Sequence, residues 1–290
     1  MHLVIGGTGD LGFDLVQRLL RNRHHVRAMV RSDDAERRLR DVGAETIRGD
    51  LKERPSLERA CQGIECVVSS ANAVKRGGAD TIETVDRQGH RDLVEAARAA
   101  GVRRFVFVSV AGADPSHPFP LFAAKGETEA HLAASGMPYV IVQPHVFMDV
   151  WYPMVLGQAL QSGAPVPLYE GGRKRHSFVA AADVAAFTVA GVENVATTNR
   201  RLLVGGPSAH SWSEVVDECG KRLGRTLRVH HAAAGDPFPG VPAPLGGLLG
   251  AMLTNMERAD VIIEMQPLYD QLGIEPTSLE QYLDRFLVRT

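Results

Sequence analysis

The opening of the chain constrains its fold most: a short apolar strand, His2-Leu3-Val4-Ile5, runs straight into Gly6-Gly7-Thr8-Gly9-Asp10-Leu11-Gly12. Leu11, Leu15 and Leu19, with Val16 and Leu20, then recur at helical spacing and give one apolar face. A G-x-x-G-x-x-G triplet alone is weak, but one that ends a strand and opens an amphipathic helix has the context of a phosphate-binding turn. Without Cβ atoms the backbone N–H groups can approach a diphosphate closely. The start of the helix adds unpaired donors and a partial positive charge. The predicted ligand is a dinucleotide, met by Gly6, Thr8, Gly9, Asp10 and Leu11.

Strands and helices alternate downstream. Residues 25–30 read as a second strand, 35–42 as a polar helix and 45–48 as a third strand ending at Gly49-Asp50-Leu51. A short helix at 57–62, a fourth strand at 66–69 and a longer helix at 85–100 closed by Gly101 follow. Residues 104–110 form a near-continuous apolar run, the pattern of a parallel strand buried on both faces. A helix at 123–135 and a sixth strand at 139–142 precede Gln143-Pro144. This rhythm predicts right-handed βαβ units with helices on both faces of a parallel sheet. The predicted fold class is α/β, a Rossmann-type doubly wound parallel sheet with a smaller C-terminal substrate-capping region.

Later the pattern loosens. Residues 148–161 read as partly helical, with Pro153 starting or kinking a helix. Residues 166–169 and 201–204 read as strands, 181–192 as a helix, and 211–222 as a helix opened by a Ser211/Glu214 capping box. Residues 232–250, rich in Ala, Gly and Pro, read as a loop or cover. With no internal repeat and no clean linker, residues 1–150 are expected to form the nucleotide-binding core. Residues 151–290 are expected to be a mixed region that completes the sheet and caps a substrate.

Composition narrows the partners. Of 290 residues, 32 are Lys or Arg and 34 are Asp or Glu, so no basic excess marks a nucleic-acid surface. No apolar run reaches the roughly 20 residues that span a bilayer. Cys61, Cys66 and Cys219 lack metal-ligand spacing and read as idle thiols of a reducing cytosol. A first strand at residue 2 leaves no room for a signal peptide. The expectation is a cytoplasmic monomer or homodimer acting on a small-molecule substrate, with no nucleic-acid or membrane partner and no metal.

About 20 residues beyond the turn, a dinucleotide site discriminates its ribose. An acidic residue there would repel a 2′-phosphate; this chain has Arg31-Ser32, with Asp33 and Asp34 following. A guanidinium pairs bidentately with phosphate, so NADP(H) is favoured, with NAD(H) the second choice. The alternative is that Arg31 faces solvent. Asp50, next to Leu51, is placed to meet the adenine edge or to cap the next helix. Ser70-Ala71 would run along the cofactor, or form a plain loop.

Several stretches together resemble the atypical short-chain dehydrogenase/reductases, and within them the NmrA-like branch. They are the residue 6–12 turn, Arg31, Gly49-Asp50-Leu51, Leu93-Val94-Glu95-Ala96-Ala97, Gly101-Val102 and the run from Arg104 to Ser109. Lys125 within Ala124-Lys125-Gly126-Glu127, Pro144 with Phe147-Met148, Ser177-Phe178-Val179, Asp183-Val184-Ala185 and Gly205-Gly206-Pro207 fit as well. The resemblance covers most of residues 1–225 and implies NAD(P)H-dependent reductases, isoflavone-reductase-like enzymes or non-enzymatic redox sensors. Most short-chain dehydrogenases carry Tyr-x-x-x-Lys; four residues before Lys125 stands Leu121, which cannot transfer a proton. Some NmrA-like reductases lack that tyrosine too and are thought to use the lysine. Gln143 stands where the family often has Arg.

Two residues are candidates for the proton chemistry. Lys125 can exchange protons in a dry pocket, or anchor a ribose by hydrogen bonding. His145, at the end of the sixth strand, can donate to a reduced carbonyl or quinone oxygen, or simply pack. Ser109 can orient a substrate oxygen or contact the cofactor; as a bland alternative it caps a loop. Phe147, Trp151 and Tyr152 can wall an apolar substrate pocket, or belong to a core. The leading expectation is an NADP(H)-dependent reductase of an apolar or aromatic carbonyl, quinone or activated alkene. Alternatives are a cofactor-binding sensor or assembly factor, or a biosynthetic isomerase, dehydratase or cyclase.

Overall fold

The computed structural model describes residues 1–74 and 77–288. In chain order the elements are β1 (His2–Ile5), α1 (Asp10–Arg21), β2 (Val26–Val30), α2 (Asp33–Asp41), β3 (Glu45–Arg48), α3 (Arg54–Cys61) and β4 (Cys66–Ser69). A π-helical segment, Ile82–Gly89, leads into α4 (His90–Ala99), followed by β5 (Arg104–Val108), α5 (Pro120–Ala134) and β6 (Tyr139–Pro144). Then come α6 (Met148–Ser162), β7 (Val166–Tyr169), α7 (Ala181–Glu193), β8 (Arg200–Val204), α8 (Trp212–Arg222), β9 (Val229–Ala232), α9 (Leu245–Met256), α10 (Gln266–Leu272) and α11 (Leu279–Leu287). The chain divides into two compact units, residues 1–144 with 184–204, and residues 145–183 with 205–290.

In the first unit seven parallel strands lie in the order β3-β2-β1-β4-β5-β6-β8. Strand side chains alternate between faces. Leu3, Ile5, Val67, Phe105, Phe107 and Ile141 share one core cluster with Leu57, Leu93, Val94 and Leu132 of α3, α4 and α5. On the opposite face α7 comes so close that a Cβ on Gly191 would lie 3.2 Å from Val140 Cγ1 and 3.3 Å from Val106 Cγ1. Burial on both faces is why these strands are continuously apolar. The order reverses at β1/β4, so the carboxyl ends of those strands open a crevice, the usual ligand position of such sheets.

The second unit holds the short parallel pair β7-β9 and a core in which Tyr152, Phe178, Trp212 and Leu283 are buried. Here the structure corrects two expectations. Residues 232–250 are not simply a loop: α9 starts at Leu245, and two of its glycines, Gly246 and Gly250, mark close packing rather than turns. A Cβ on Gly246 would lie 2.3 Å from the Val241 carbonyl oxygen, and one on Gly250 2.0 Å from that of Asp236. Of the two roles expected for Pro153, starting a helix is excluded, because it lies inside α6.

Asp183 anchors the C-terminal segment. Its buried carboxylate accepts from Thr277 N at 2.8 Å and Thr277 Oγ1 at 2.7 Å, and Tyr269 Oη donates to the Gly205 carbonyl at 3.0 Å. Gly205-Gly206 follows from the neighbouring backbone: a Cβ on Gly206 would sit 2.0 Å from the Phe178 carbonyl oxygen.

Candidate functional site

The turn between β1 and α1 is tight. Gly6 has φ +88°, and a Cβ there would meet Ala71 N at 2.8 Å and Ser70 Oγ at 3.1 Å. Ser70-Ala71 is therefore no distant loop; it lies on the turn, and Ser70 N–H bonds the Ile5 carbonyl at 3.1 Å. A Cβ on Gly12 would lie 2.1 Å from the Gly6 carbonyl oxygen, so α1 needs that glycine to pack on the turn. Gly9 differs: its φ of −75° and ψ of 164° suit any residue, and a Cβ would meet only the Gly6 oxygen at 3.6 Å. The chain itself has no need of glycine at position 9, and the space beside it is open to a ligand.

Gly9 is also the N-cap of α1, without a side-chain cap, and the first helical bond runs from Phe13 N–H to its carbonyl at 2.8 Å. The N–H groups of the first turn, which includes Asp10 and Leu11, face the site that an anion would take. A cavity of about 490 Å³ lies there, lined by Gly6, Thr8, Arg31, Asp50, Leu51 and Ala71 among others. These residues fit a dinucleotide: donors for the diphosphate, open space at Gly9, and the apolar Leu51 and Ala71 beside it.

At the far end of that cavity Arg31 does not simply face solvent. Its Nη1 donates to Asp80 Oδ2 at 2.7 Å and to Asp50 Oδ2 at 3.3 Å. Lys52 Nζ pairs with Asp80 as well and lies 3.2 Å from Asp50 Oδ2. Asp50 is not the cap of α3, whose N-cap is Glu53. Instead Asp50 Oδ1 accepts from Lys52 N at 2.9 Å, and its N–H donates to Ser56 Oγ at 3.0 Å. The hydrogen bond from Lys52, followed by that from Arg31, holds the Asp80 carboxyl down at about 2. Neither Asp80 nor Lys52 stood out in the sequence.

Lys125, on α5, is buried at the carboxyl ends of β4 and β5. Its Nζ donates to the carbonyls of Val108 at 3.2 Å and Ala71 at 3.4 Å, lies 3.9 Å from Asp86 Oδ1, and sits 4.6 Å from the Phe107 ring centroid. Burial lowers its pKa, while the Asp86 and Glu129 charges oppose that fall. Ser109 Oγ gives its proton to Glu129 Oε1 at 2.5 Å, so it can only accept from a ligand, not donate to a substrate oxygen. Glu129 also accepts from Gln143 Nε2 at 2.8 Å and from Arg201 Nε at 2.9 Å. Arg201, on β8, thus supplies the cation that Gln143 lacks.

The remaining candidates lie in the second unit. His176 Nε2 lies 2.8 Å from the Met256 carbonyl oxygen and must be its donor, so His176 Nδ1 accepts from His145 Nε2 at 3.4 Å. Burial, and then the neighbouring His176, pushes the His145 imidazole down to about 4. Near neutral pH it is uncharged and no strong acid. Phe147 and Trp151 are half-buried. Tyr152 is a core residue rather than a pocket wall: it is fully buried, with Phe178, Trp212 and Tyr282 in edge contact at 5.3, 5.7 and 5.4 Å between centroids. Among the described residues no His, Cys, Asp or Glu cluster could hold a metal, and no helix is long and apolar enough to cross a membrane.

A parallel sheet reversing at β1/β4, with an uncapped glycine turn at the reversal, defines an NAD(P)-binding protein of the Rossmann type with a reductase-like fold. The model of a family described as NAD(P)H-binding matches residues 6–194, and the chain belongs to that family, among the NmrA-like atypical short-chain dehydrogenase/reductases. It is 27% identical to the photosystem II assembly factor Ycf39 of Synechocystis sp., over 99% of this chain and 90% of that protein. It is 32% identical to the NAD(P)H azoreductase of Xenophilus azovorans, over 79% and 76%. Among solved structures, an NADPH-dependent quinone oxidoreductase of Escherichia coli complexed with NADPH superposes with a TM-score of 0.84 at 21% identity, covering 99% of each chain.

Proposed function

We propose that the chain is an NADP(H)-dependent reductase acting on an apolar or aromatic carbonyl, quinone or activated alkene, with Lys125 as proton donor. One observation carries this reading: the Lys125 ammonium is buried on the carbonyls of Ala71 and Val108, at the strand ends that border the glycine turn. A bound reduced nicotinamide supplies the hydride. The product then needs a proton. Leu121 cannot give one, and His145 is held uncharged near neutrality. The Lys125 ammonium is the cationic donor that remains, and burial makes it a better acid than an exposed lysine. It also holds donors for a ribose hydroxyl. Arg31 supports NADP(H) over NAD(H). The azoreductase and quinone oxidoreductase relatives support the reaction class. The test is loss of reduced-nicotinamide absorbance when the protein and NADPH are mixed with a panel of quinones, aromatic ketones and azo dyes.

A second reading is a cofactor-binding assembly factor. It is favoured by Leu121 in the tyrosine position together with similarity to Ycf39 along 99% of the chain. Tight NADPH binding with no turnover anywhere in the panel would move the assignment to it.

A further inference from the structure

Arg31 and Asp50 line the cavity, Lys52 and Asp80 pair with them, and the two carboxylates are held differently. Asp50 is part of the turn after β3, through Lys52 N at 2.9 Å and Ser56 Oγ at 3.0 Å. Asp80 arrives on another segment, just before Thr81, the N-cap of the π-helical segment. Its N–H bonds the Gly77 carbonyl at 3.2 Å. Gly77 and Gly78 both have positive φ, 78° and 63°, and a Cβ on either would meet nothing within 4 Å. Among the described residues nothing packs against the glycines of the turn that carries Asp80. The Asp80 side chain is only 9% exposed and pairs with both Arg31 and Lys52.

Among the described residues, Arg31 and Lys52 face the two carboxylates of Asp50 and Asp80. A 2′-phosphate adds about −1.5 to −2 charges, as phosphate monoesters do near neutrality. With Asp80 in place, that charge would meet Arg31 and Lys52 already paired with carboxylates. A plain ribose hydroxyl adds no charge and can donate to either carboxylate.

We infer that Asp80 determines cofactor specificity: its carboxylate holds the place of a 2′-phosphate on Arg31 and Lys52, NADP(H) has to displace it, and Lys52 is the second cation of the phosphate site. This rests on the nucleotide reading of the cavity and goes beyond it by assigning two residues outside the glycine turn. Asp80→Asn keeps the side-chain shape and removes the charge, while Asp50 still pairs both cations.

The experiment titrates the full chain by calorimetry with adenosine 2′,5′-bisphosphate and with 5′-AMP, and in parallel with NADPH and NADH. Asp80→Asn is expected to tighten the bisphosphate about tenfold, the worth of one charge-assisted hydrogen bond, and to leave 5′-AMP within about twofold. Lys52→Met is expected to weaken the bisphosphate by about as much and to spare 5′-AMP. An unchanged bisphosphate/AMP ratio in both variants overturns the inference. So does selective loss of 5′-AMP in Asp80→Asn, which would assign Asp80 to the ribose hydroxyls. If Asp80→Asn does not fold, the Lys52→Met ratio decides alone. Failure of the wild type to bind NADPH or NADH overturns the nucleotide reading itself, a result distinct from binding with an unaltered ratio.

Discussion

Arg201 Nε on β8 donates at 2.9 Å to Glu129 Oε2, a carboxylate buried on α5. The same group takes Gln143 Nε2 at 2.8 Å and Ser109 Oγ at 2.5 Å. Gln143 pairs with Leu203, and Arg201 with Ile141, across the β6–β8 ladder, so the two side chains converge on Glu129 from neighbouring strands. A charge that the resembling family often carries before the proline is here carried one strand over. Arg201→Met would leave Glu129 with neutral donors only. Because Arg201 is half exposed, the loss should be about 1–2 kcal/mol rather than the 3–5 of a fully buried pair. Adding Gln143→Arg should recover most of it. Urea titration of the single and double variants measures this, and a single variant as stable as wild type would make the charge irrelevant to folding.

Gly9 and Gly12 should fail in different ways. A Cβ at position 12 collides with backbone at 2.1 Å, so Gly12→Ala must displace α1 and should lower stability by about 1–3 kcal/mol along with nucleotide affinity. At position 9 the only contact is 3.6 Å away, so Gly9→Ala should melt within a degree or two of wild type, yet bind NADPH at least about tenfold more weakly. Thermal unfolding with parallel calorimetry separates the two. Undiminished binding by Gly9→Ala would mean that the diphosphate lies elsewhere.

His90 predicts an acid limb of stability. It is fully buried, bonded to the Val85 carbonyl at 3.0 Å and to Ser69 Oγ at 2.9 Å, and burial pushes it down to about 3, with Lys125 adding to the fall. The unfolded imidazole takes a proton near pH 6.5 that the folded one refuses. Its contribution is complete above that pH and is lost as pH falls toward 3, at about 1.4 kcal/mol per pH unit for one proton. His90→Gln should be less stable than wild type at pH 7, yet show a shallower decline between pH 6 and 4.5. Parallel slopes would place the acid sensitivity in other groups, with His2 and His145, both pushed down to about 4, next in line.

What was readable in the sequence follows from local chemistry. The central strands β1, β4, β5 and β6 announce themselves because burial on both faces makes their middles apolar, and the turn does so because three glycines at fixed spacing have a local cause. The missed elements lack such a signal. The strand Val229–Ala232 exposes three of its four residues, so no alternation survives, and α9 is disguised by glycines that serve packing. The missed site residues act across distance in the chain: Asp80 meets Arg31 from 49 positions away, and Arg201 meets Glu129 from 72. Only the folded chain brings such charges together. The family resemblance could identify Lys125 as a candidate, but not that carbonyls hold it or that a second histidine keeps His145 company.

That last difference yields a kinetic expectation. If Lys125 donates the proton, turnover with NADPH should hold from mildly acidic pH upward and fall as the pH rises through the lysine's pKa, which burial sets below the ordinary lysine value. Lys125→Met should lower kcat by about 10²–10⁴, the range for loss of a positioned acid. NADPH affinity should fall less, because the diphosphate contacts remain. His145→Ala should leave the alkaline limb where it was, since an imidazole titrating near 4 is uncharged throughout that range. Stopped-flow hydride transfer at saturating NADPH from pH 5 to 10 gives both limbs. Were the imidazolium of His145 the acid, kcat would climb about tenfold per unit as pH drops from 7 to 5, following the protonated fraction. That climb, together with survival of activity in Lys125→Met, would transfer the donor role to His145.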